Sequence, residues 1–339
     1  MPIALATLAA ALCACSSPAP QAATTTTTVP PTTLPVPVTL TGTSPQGSYA
    51  SLGPIERIPA PILAKGTAAP PASEPLLPYS AGSVRVGFRQ FGSGPALLLV
   101  MGQHGTMTWW DPQLLTDLAA HFTVTIFDLP GAGYSAALAG SPTVESYADV
   151  AAGLVYSLQL KKPVALGWGL GGAVVLALAE RHPSSVGRLV LVDSMVGGSR
   201  ALGVPPAAAA VLASPTVTAG TVASLMFPAT EPGARQAWLA RVFQVSPDDI
   251  VASGVRSEAS AAASLAGDRA LGAGLGGIRS AALVIDGLAD GVVPAADSTR
   301  LAMLLPKRKL DLVAGGGYAV LAEDEGALVS AIVTFAQSG

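Results

Sequence analysis

From about residue 79 onward, short apolar runs rich in β-branched residues alternate with longer runs that have helical spacing. Residues 96–100 form a continuous apolar run, which is typical of a buried strand, and residues 145–158 carry apolar side chains at helical intervals after Thr143. A regular alternation of this kind predicts a mostly parallel sheet flanked by helices on both faces. The roughly 260 residues involved are enough for one large domain. We therefore expect an α/β fold.

The pattern also predicts where the elements and the domain boundaries lie. We expect strands at residues 84–90, 96–100, 124–127, 164–166, 189–192, 283–285 and 309–313, and helices at 114–120, 145–158, 170–181, 297–304 and 320–335. Strand signals are missing from residues 198–276, which are rich in Ala and have helical character. We interpret this segment as a helical cap inserted over one end of the sheet, within a domain that spans residues 79–339.

The first 78 residues differ in composition from the rest of the chain. Residues 1–14 are apolar and small, and Leu12 to Cys15 resembles a bacterial lipobox. That resemblance implies that residues 1–15 are an export signal and that Cys15 carries a lipid. Residues 16–78 are rich in Thr and Pro, which predicts a disordered tether. We therefore expect a protein of the bacterial cell envelope, anchored by lipid at the outer face of the cell membrane.

Composition excludes several classes of partner and cofactor. The net charge of −3 offers no electrostatic footprint for nucleic acid. The only two cysteines are Cys13 and Cys15, so neither a disulfide framework nor a cysteine-based zinc site is possible. We predict no metal site and no cofactor.

Five short motifs follow one another along the domain. Met101-Gly102 follows a predicted strand, residues 128–135 read D-x-x-G-x-G-x-S, and residues 167–171 form a glycine-rich turn between a strand and a helix. Residues 287–290 read G-x-x-D, and Gly317-Tyr318 precedes the last helix. In kind and order these motifs resemble those of the α/β-hydrolase superfamily. The resemblance implies an oxyanion loop and pocket formed by Gln103, His104, Trp168 and Leu170.

The resemblance also implies a catalytic triad, of which this chain retains one member. In this fold a nucleophile is followed along the chain by an acid and then by a histidine. Gly169 occupies the nucleophile position, Asp290 the acid position and Tyr318 the histidine position. None of the three histidines follows Asp290, and a tyrosine is a poor base near neutral pH. We expect a non-catalytic protein that binds an apolar small molecule or a partner, with extra room at Gly169.

Two other interpretations compete with this one. The first is an esterase-like hydrolase with a displaced constellation, which would use Ser194 or a water held by Asp290 and His104. The second is dinucleotide binding, because residues 167–172 satisfy G-x-G-x-x-G and Asp193 ends the next predicted strand. The second interpretation requires an open groove over the glycines.

Overall fold

In the computed structural model, the described residues comprise five short strands between residues 43 and 79, followed by residues 82–198, 201–244, 252–267 and 274–338. No helix within these ranges is long and apolar enough to cross a membrane. The strands are β1 Thr43–Ser44, β2 Gly47–Ser48, β3 Glu56–Ile58, β4 Ala72–Glu74, β5 Leu76–Tyr79, β6 Gly82–Arg85, β7 Phe88–Gly92, β8 Ala96–Val100, β9 Thr123–Phe127, β10 Val164–Trp168, β11 Arg188–Val192, β12 Ala281–Gly287 and β13 Arg308–Val313.

Nine of these strands form one sheet, in the order β13-β12-β11-β10-β8-β9-β7-β4-β3. The six strands from β13 to β9 are parallel, and β7 pairs antiparallel with β9. Leu97, Leu98 and Leu99 of β8 have no exposed surface, because helices cover both faces of the sheet. The carboxyl ends of the parallel strands therefore meet at one rim, where ligands bind in folds of this type. This arrangement confirms the predicted fold class.

The described helices lie in the connections between strands, except for the last two, which follow β13. They are α1 Pro112–Ala119, α2 Val144–Ser157, α3 Leu170–Arg181, α4 Pro206–Ala213, α5 Ala219–Met226, α6 Pro232–Gln244, α7 Ala252–Gly267, α8 Ala295–Leu304, α9 Val320–Glu323 and α10 Glu325–Gln337. Helix α2 begins after Thr143, whose side chain accepts a hydrogen bond from the Ser146 amide. Helices α4–α7 all lie between β11 and β12, and we call these four helices the helical insertion.

Two predicted elements are each divided in two. The strand expected at residues 84–90 is interrupted at Gly87, whose amide donates to the Ser135 hydroxyl at 3.0 Å instead of to a neighbouring strand. The helix expected at residues 320–335 is divided at Asp324, whose side chain accepts from the Ala327 amide and starts α10. In both places a side chain captures the backbone amide that a continuous element would use.

The described part of residues 16–78 also differs from the expected tether. Strand β4 pairs with β7, and β3 pairs with β4, so the sheet continues into this segment. The sequence offers little strand signal there, because such short strands depend on the open edge of β7 for their hydrogen bonds. Cys15 and the predicted export signal lie outside the described residues.

Candidate active site

A sharp turn connects β10 to α3 at the rim of the sheet. Gly169 forms the turn with a φ of 56° and a ψ of −117°, a left-handed conformation that glycine adopts at little cost. Its amide donates to the Val192 carbonyl at 3.0 Å, which fixes the turn against β11. Gly171 is also required, because a side chain there would collide with the Val100 carbonyl. The backbone thus has the strand-to-helix geometry of a nucleophile elbow, without a nucleophilic side chain.

The Tyr318 hydroxyl lies where the side chain of residue 169 would begin. A Cβ built on Gly169 would overlap that hydroxyl, and one on Gly102 would lie 3.3 Å from it. The tyrosine ring packs against Trp168 at a tilt of 32°, with 5.2 Å between ring centroids, and Trp168 Nε1 donates to the Tyr318 carbonyl at 2.8 Å. The extra room that we expected at Gly169 is therefore absent, because the phenol fills it.

Tyr318 is poorly suited to act as a base. Its side chain is buried, and its hydroxyl has no hydrogen-bond partner among the described residues. Burial, followed by the charge of Asp290, raises the pKa of Tyr318 well above its ordinary value. The phenol therefore stays protonated at any physiological pH, so it can donate a proton in a hydrogen bond but cannot remove one.

Asp290 is held by the turn that follows β12. Its Oδ1 accepts from the amides of Val292 and Val293 at 2.6 and 3.0 Å, while Oδ2 has no partner among the described residues. Burial raises the pKa of Asp290 to about 8. None of the three histidines, all of which lie in the described ranges, bonds to this carboxylate. His104 and His182 bond to Ser214 and Asp149, and His121 lies just before β9.

The oxyanion loop, residues 102–105, is hydrogen-bonded to the helical insertion. Gln103 Nε2 donates to the Leu212 carbonyl at 3.1 Å. The His104 amide donates to Glu258 Oε2 at 2.6 Å, and His104 Nε2 lies 3.1 Å from the Ser214 carbonyl. His104 is thus directed towards the insertion. The sequence gives no signal for Glu258, a fully buried acid on α7.

The displaced constellation proposed from the sequence does not form. Ser194 has no exposed surface, and its hydroxyl lies against Gly172 and donates to the Val192 carbonyl at 3.4 Å. His104 bonds to Ser214 rather than to Asp290. Neither a substrate nor a base therefore reaches the Ser194 hydroxyl in this arrangement.

The groove that a dinucleotide would need is also filled. A Cβ added at Gly169 would collide with the Tyr318 hydroxyl and one added at Gly172 with Ser194, so both glycines face protein side chains rather than an open groove. Asp193, the expected partner of a ribose, has no exposed surface. These contacts disfavour the dinucleotide interpretation.

A cavity of about 530 Å³ lies next to the oxyanion loop, under the helical insertion. Most of its wall consists of small or apolar side chains from α4, α7 and the rim, among them Ala209, Ala262, Met195 and Val293. Of the predicted pocket residues only Gln103 lines it; His104 is turned away, and Trp168 and Leu170 are buried elsewhere. Hydrophobic periodicity in the sequence does not identify this wall, because alanines that line a cavity have the same spacing as alanines on a helix face packed in a core.

The one acidic group in the described cavity wall is already engaged. Asp297 accepts from the amides of Leu202 and Gly203, both at 2.9 Å, and from Arg300 at 3.1 Å. Its negative charge is therefore balanced by the protein, and the remaining surface favours an uncharged, apolar guest.

Comparison with known proteins gives consistent results. A family model described as "alpha/beta hydrolase fold" matches residues 95–324. The pimeloyl-[acyl-carrier protein] methyl ester esterase of Vibrio parahaemolyticus is 38% identical over 112 residues, which are 33% of this chain and 42% of that protein. An uncharacterised protein of Mycobacterium tuberculosis is 36% identical over 110 residues, 32% of each chain. The matches thus cover less than half of the length of these relatives.

Solved structures share the fold over most of the described chain. The esterase RhEst1 from a Rhodococcus species has a TM-score of 0.66 and 23% identity, covering 79% of this chain and 98% of its own. An alpha/beta hydrolase fold protein from Chitinophaga pinensis has a TM-score of 0.69 and 21% identity, covering 80% and 98%. The family model spans more than half of this chain, so the chain belongs to the alpha/beta hydrolase family.

Proposed function

We propose that this protein is a non-catalytic member of the α/β-hydrolase family that binds an apolar small molecule. The observation that carries the proposal is the contact between Gly169 and Tyr318, where a phenol hydroxyl occupies the space of a nucleophilic side chain. Acyl transfer needs a nucleophile beside a base, and this corner of the rim offers neither. The same hydroxyl obstructs the place where a carbonyl would approach the elbow.

The cavity under the helical insertion is the proposed binding site. Its volume of about 530 Å³ lies within the range of small-molecule pockets, and its wall is largely apolar. Gln103 offers a polar contact at one end, beside the oxyanion loop. An uncharged ligand with a large apolar part fits these properties best.

A ligand experiment tests the proposal directly. We expect native mass spectrometry of the purified full chain to detect a co-purifying apolar molecule at one per chain. Ala262→Phe would place a ring in the cavity and should abolish that species. Ala210→Phe, on an exposed position of α4, adds the same ring elsewhere in the insertion and should leave it unchanged. Loss in both variants, or in neither, would contradict binding in this cavity.

An esterase is the second candidate, because relatives of this chain are named as esterases. A fluorophosphonate probe and short-chain esters separate the two candidates. We expect no probe labelling and little ester hydrolysis, although an oxyanion hole alone can support faint rates. Hydrolysis at ordinary enzyme rates would establish the esterase and reject the binding proposal.

We further propose that the protein is a lipoprotein of the bacterial cell envelope, anchored to the outer face of the cell membrane through Cys15. The support is the small-residue apolar run that ends in Leu12-Cys13-Ala14-Cys15, followed by a Thr- and Pro-rich segment. A bound acyl chain contributes about 0.8 kcal/mol of membrane affinity for each buried methylene group. The membrane is therefore the proposed partner, and the body would present its cavity outside the cell.

A further inference from the structure

Three aspartates meet at the rim of the sheet, beside the Gly317-Tyr318 turn. Asp193 follows β11, Asp286 lies near the end of β12, and Asp290 lies in the next turn. One carboxylate oxygen of each residue lies within 4.8 Å of the others. Nothing in the local sequence connects Asp193 with the other two, and only the parallel pairing of β11 with β12 unites them.

Each of these carboxylates has one oxygen held by the protein and a second oxygen without a partner among the described residues. The donors to the held oxygens are the Gly287 amide for Asp193, the Ser298 hydroxyl for Asp286, and the Val292 and Val293 amides for Asp290. The remaining oxygens are Asp193 Oδ2, Asp286 Oδ1 and Asp290 Oδ2. Asp193 and Asp286 have no exposed surface, so two unpartnered carboxylate oxygens are fully buried.

The cluster has no positive group to balance it. In the part of the chain that the structure describes, none of the three aspartates forms an ion pair. Buried carboxylates without a cationic partner must hold protons or bind a metal ion.

We propose that Asp193, Asp286 and Asp290 bind one divalent cation of the oxygen-preferring class, Ca²⁺ or Mg²⁺. Three carboxylate oxygens within 4.8 Å of one another can contact one Ca²⁺ ion, since Ca²⁺–oxygen distances are about 2.3–2.6 Å. Mg²⁺–oxygen distances are about 2.0–2.1 Å, so Mg²⁺ would require the carboxylates to move closer together. The absence of nitrogen and sulfur ligands disfavours zinc and copper. Glu323 Oε1 has no partner among the described residues and is a further acid to be considered, since its charge acts on Asp193 and Asp290.

The bound ion would have a structural consequence at the candidate active site. Ala289, one residue before Asp290, donates its amide to the Gly316 carbonyl at 2.8 Å, so the aspartate turn and the Tyr318 turn are hydrogen-bonded. An ion that joins β11, β12 and the aspartate turn would also restrain Tyr318 against Gly169. This inference is independent of the proposed ligand in the cavity.

The test begins with the full chain, stripped by a chelator and kept at one pH in a buffer that does not bind metals. We expect CaCl₂ or MgCl₂ to raise the midpoint of thermal unfolding by about 5 °C at a hundredfold excess over Kd, with one ion bound per chain by calorimetry. Asp290→Asn and Asp286→Asn should each weaken binding at least tenfold. Asp311→Asn, on the exposed edge strand β13, makes the same charge change and should bind as the wild type does.

A second measurement uses only the wild-type protein, in case a variant fails to fold. Tb³⁺ substitutes for Ca²⁺ and emits when nearby aromatic groups are excited. Tyr318 lies near the cluster and packs against Trp168, so we expect sensitised Tb³⁺ emission that Ca²⁺ abolishes by competition. If no ion raises the unfolding temperature and Tb³⁺ emission is absent, the cluster holds protons and the proposal is wrong. Binding that Asp286→Asn, Asp290→Asn and Asp311→Asn all leave intact would also overturn it.

Discussion

Gly169 and Tyr318 are complementary in volume. Gly169 has no side chain, and the Tyr318 hydroxyl fills the space that it leaves open. The conformation of Gly169 carries a cost for any other residue, and the phenol adds a steric cost of its own. These two costs can be separated, because the chain contains a glycine that has only the first. Gly140 has a φ of 78° and no atom within 4 Å of a built Cβ.

We predict that Gly169→Ala lowers the free energy of unfolding by about 3 kcal/mol, because backbone strain and overlap with Tyr318 act together. Gly140→Ala should cost only about 1 kcal/mol, since it has strain without overlap. In a Tyr318→Phe background the cost of Gly169→Ala should fall by at least about 1 kcal/mol. Denaturant unfolding measures the wild type, the three single variants and the double variant. Additive effects of the two substitutions would show that the contact is not formed.

We also predict the behaviour of a rebuilt triad. Gly169→Ser alone should not react with a fluorophosphonate probe, because no base accepts the hydroxyl proton, and Tyr318→His alone lacks a nucleophile. The double variant removes the steric conflict and should be labelled at residue 169 well beyond the sum of the single variants. A folded double variant that stays unlabelled would mean that Asp290 does not orient residue 318.

At the level of elements, α2 and α3 are joined by charged groups on their outer faces. Asp149 on α2 accepts from Arg181 at 2.9 and 3.0 Å and lies 2.7 Å from His182 Nε2, at the end of α3. Burial alone would raise the pKa of Asp149, but the hydrogen bonds of His182 and Arg181 outweigh it and lower the pKa below its ordinary value. The contact therefore links helix packing to pH.

We predict that Asp149→Asn lowers the free energy of unfolding by about 1 kcal/mol at pH 7, where the pair is charged and half-buried. A lowered pKa in the folded state stabilises the protein above about pH 4, and this contribution is lost as pH falls through the folded-state pKa. The difference in the free energy of unfolding between variant and wild type should therefore shrink as pH falls below about 4. Asp311→Asn serves as the exposed control. A difference that stays constant from pH 7 down into this acid range would contradict the role of the charge.

The sequence predicts elements well where local signals coincide. The apolar run of β8 and the Thr143 cap of α2 lie where the sequence predicts them, because burial and capping are encoded within a few residues. The interruptions at Gly87 and Asp324 depend on hydrogen bonds that periodicity does not reveal.

The candidate site likewise has a part that the sequence predicts and a part that it does not. The glycines of the elbow are visible in the sequence, whereas the filling by Tyr318 and the meeting of Asp193 with Asp286 arise only from tertiary packing.

At the level of the whole molecule, the helical insertion and the sheet are joined through the oxyanion loop. Gln103 and His104 contribute three hydrogen bonds to Leu212, Ser214 and Glu258 of the insertion region. The insertion also forms one wall of the cavity. A displacement of the insertion that opened the cavity would therefore break these bonds or move the loop with it.

The attachment of the whole molecule to a membrane is a separate prediction. If Cys15 is acylated, metabolic labelling with a fatty acid analogue in the native host should mark the wild type, and Cys15→Ser should be unmarked and released from the membrane fraction. Cys13→Ser changes a neighbouring cysteine and is expected to remain labelled. Equal labelling of wild type and Cys15→Ser would contradict the lipobox interpretation.

The contact between Gly169 and Tyr318 also restricts how this protein could change in evolution. A lineage that acquired serine at position 169 first would pass through a sterically strained intermediate, and one that acquired histidine at position 318 first would leave a void beside a glycine. Neither intermediate would gain catalysis, so selection for hydrolysis could not favour the first step. Each of these two contacting residues therefore makes a change at the other unfavourable, and both are expected to be retained together.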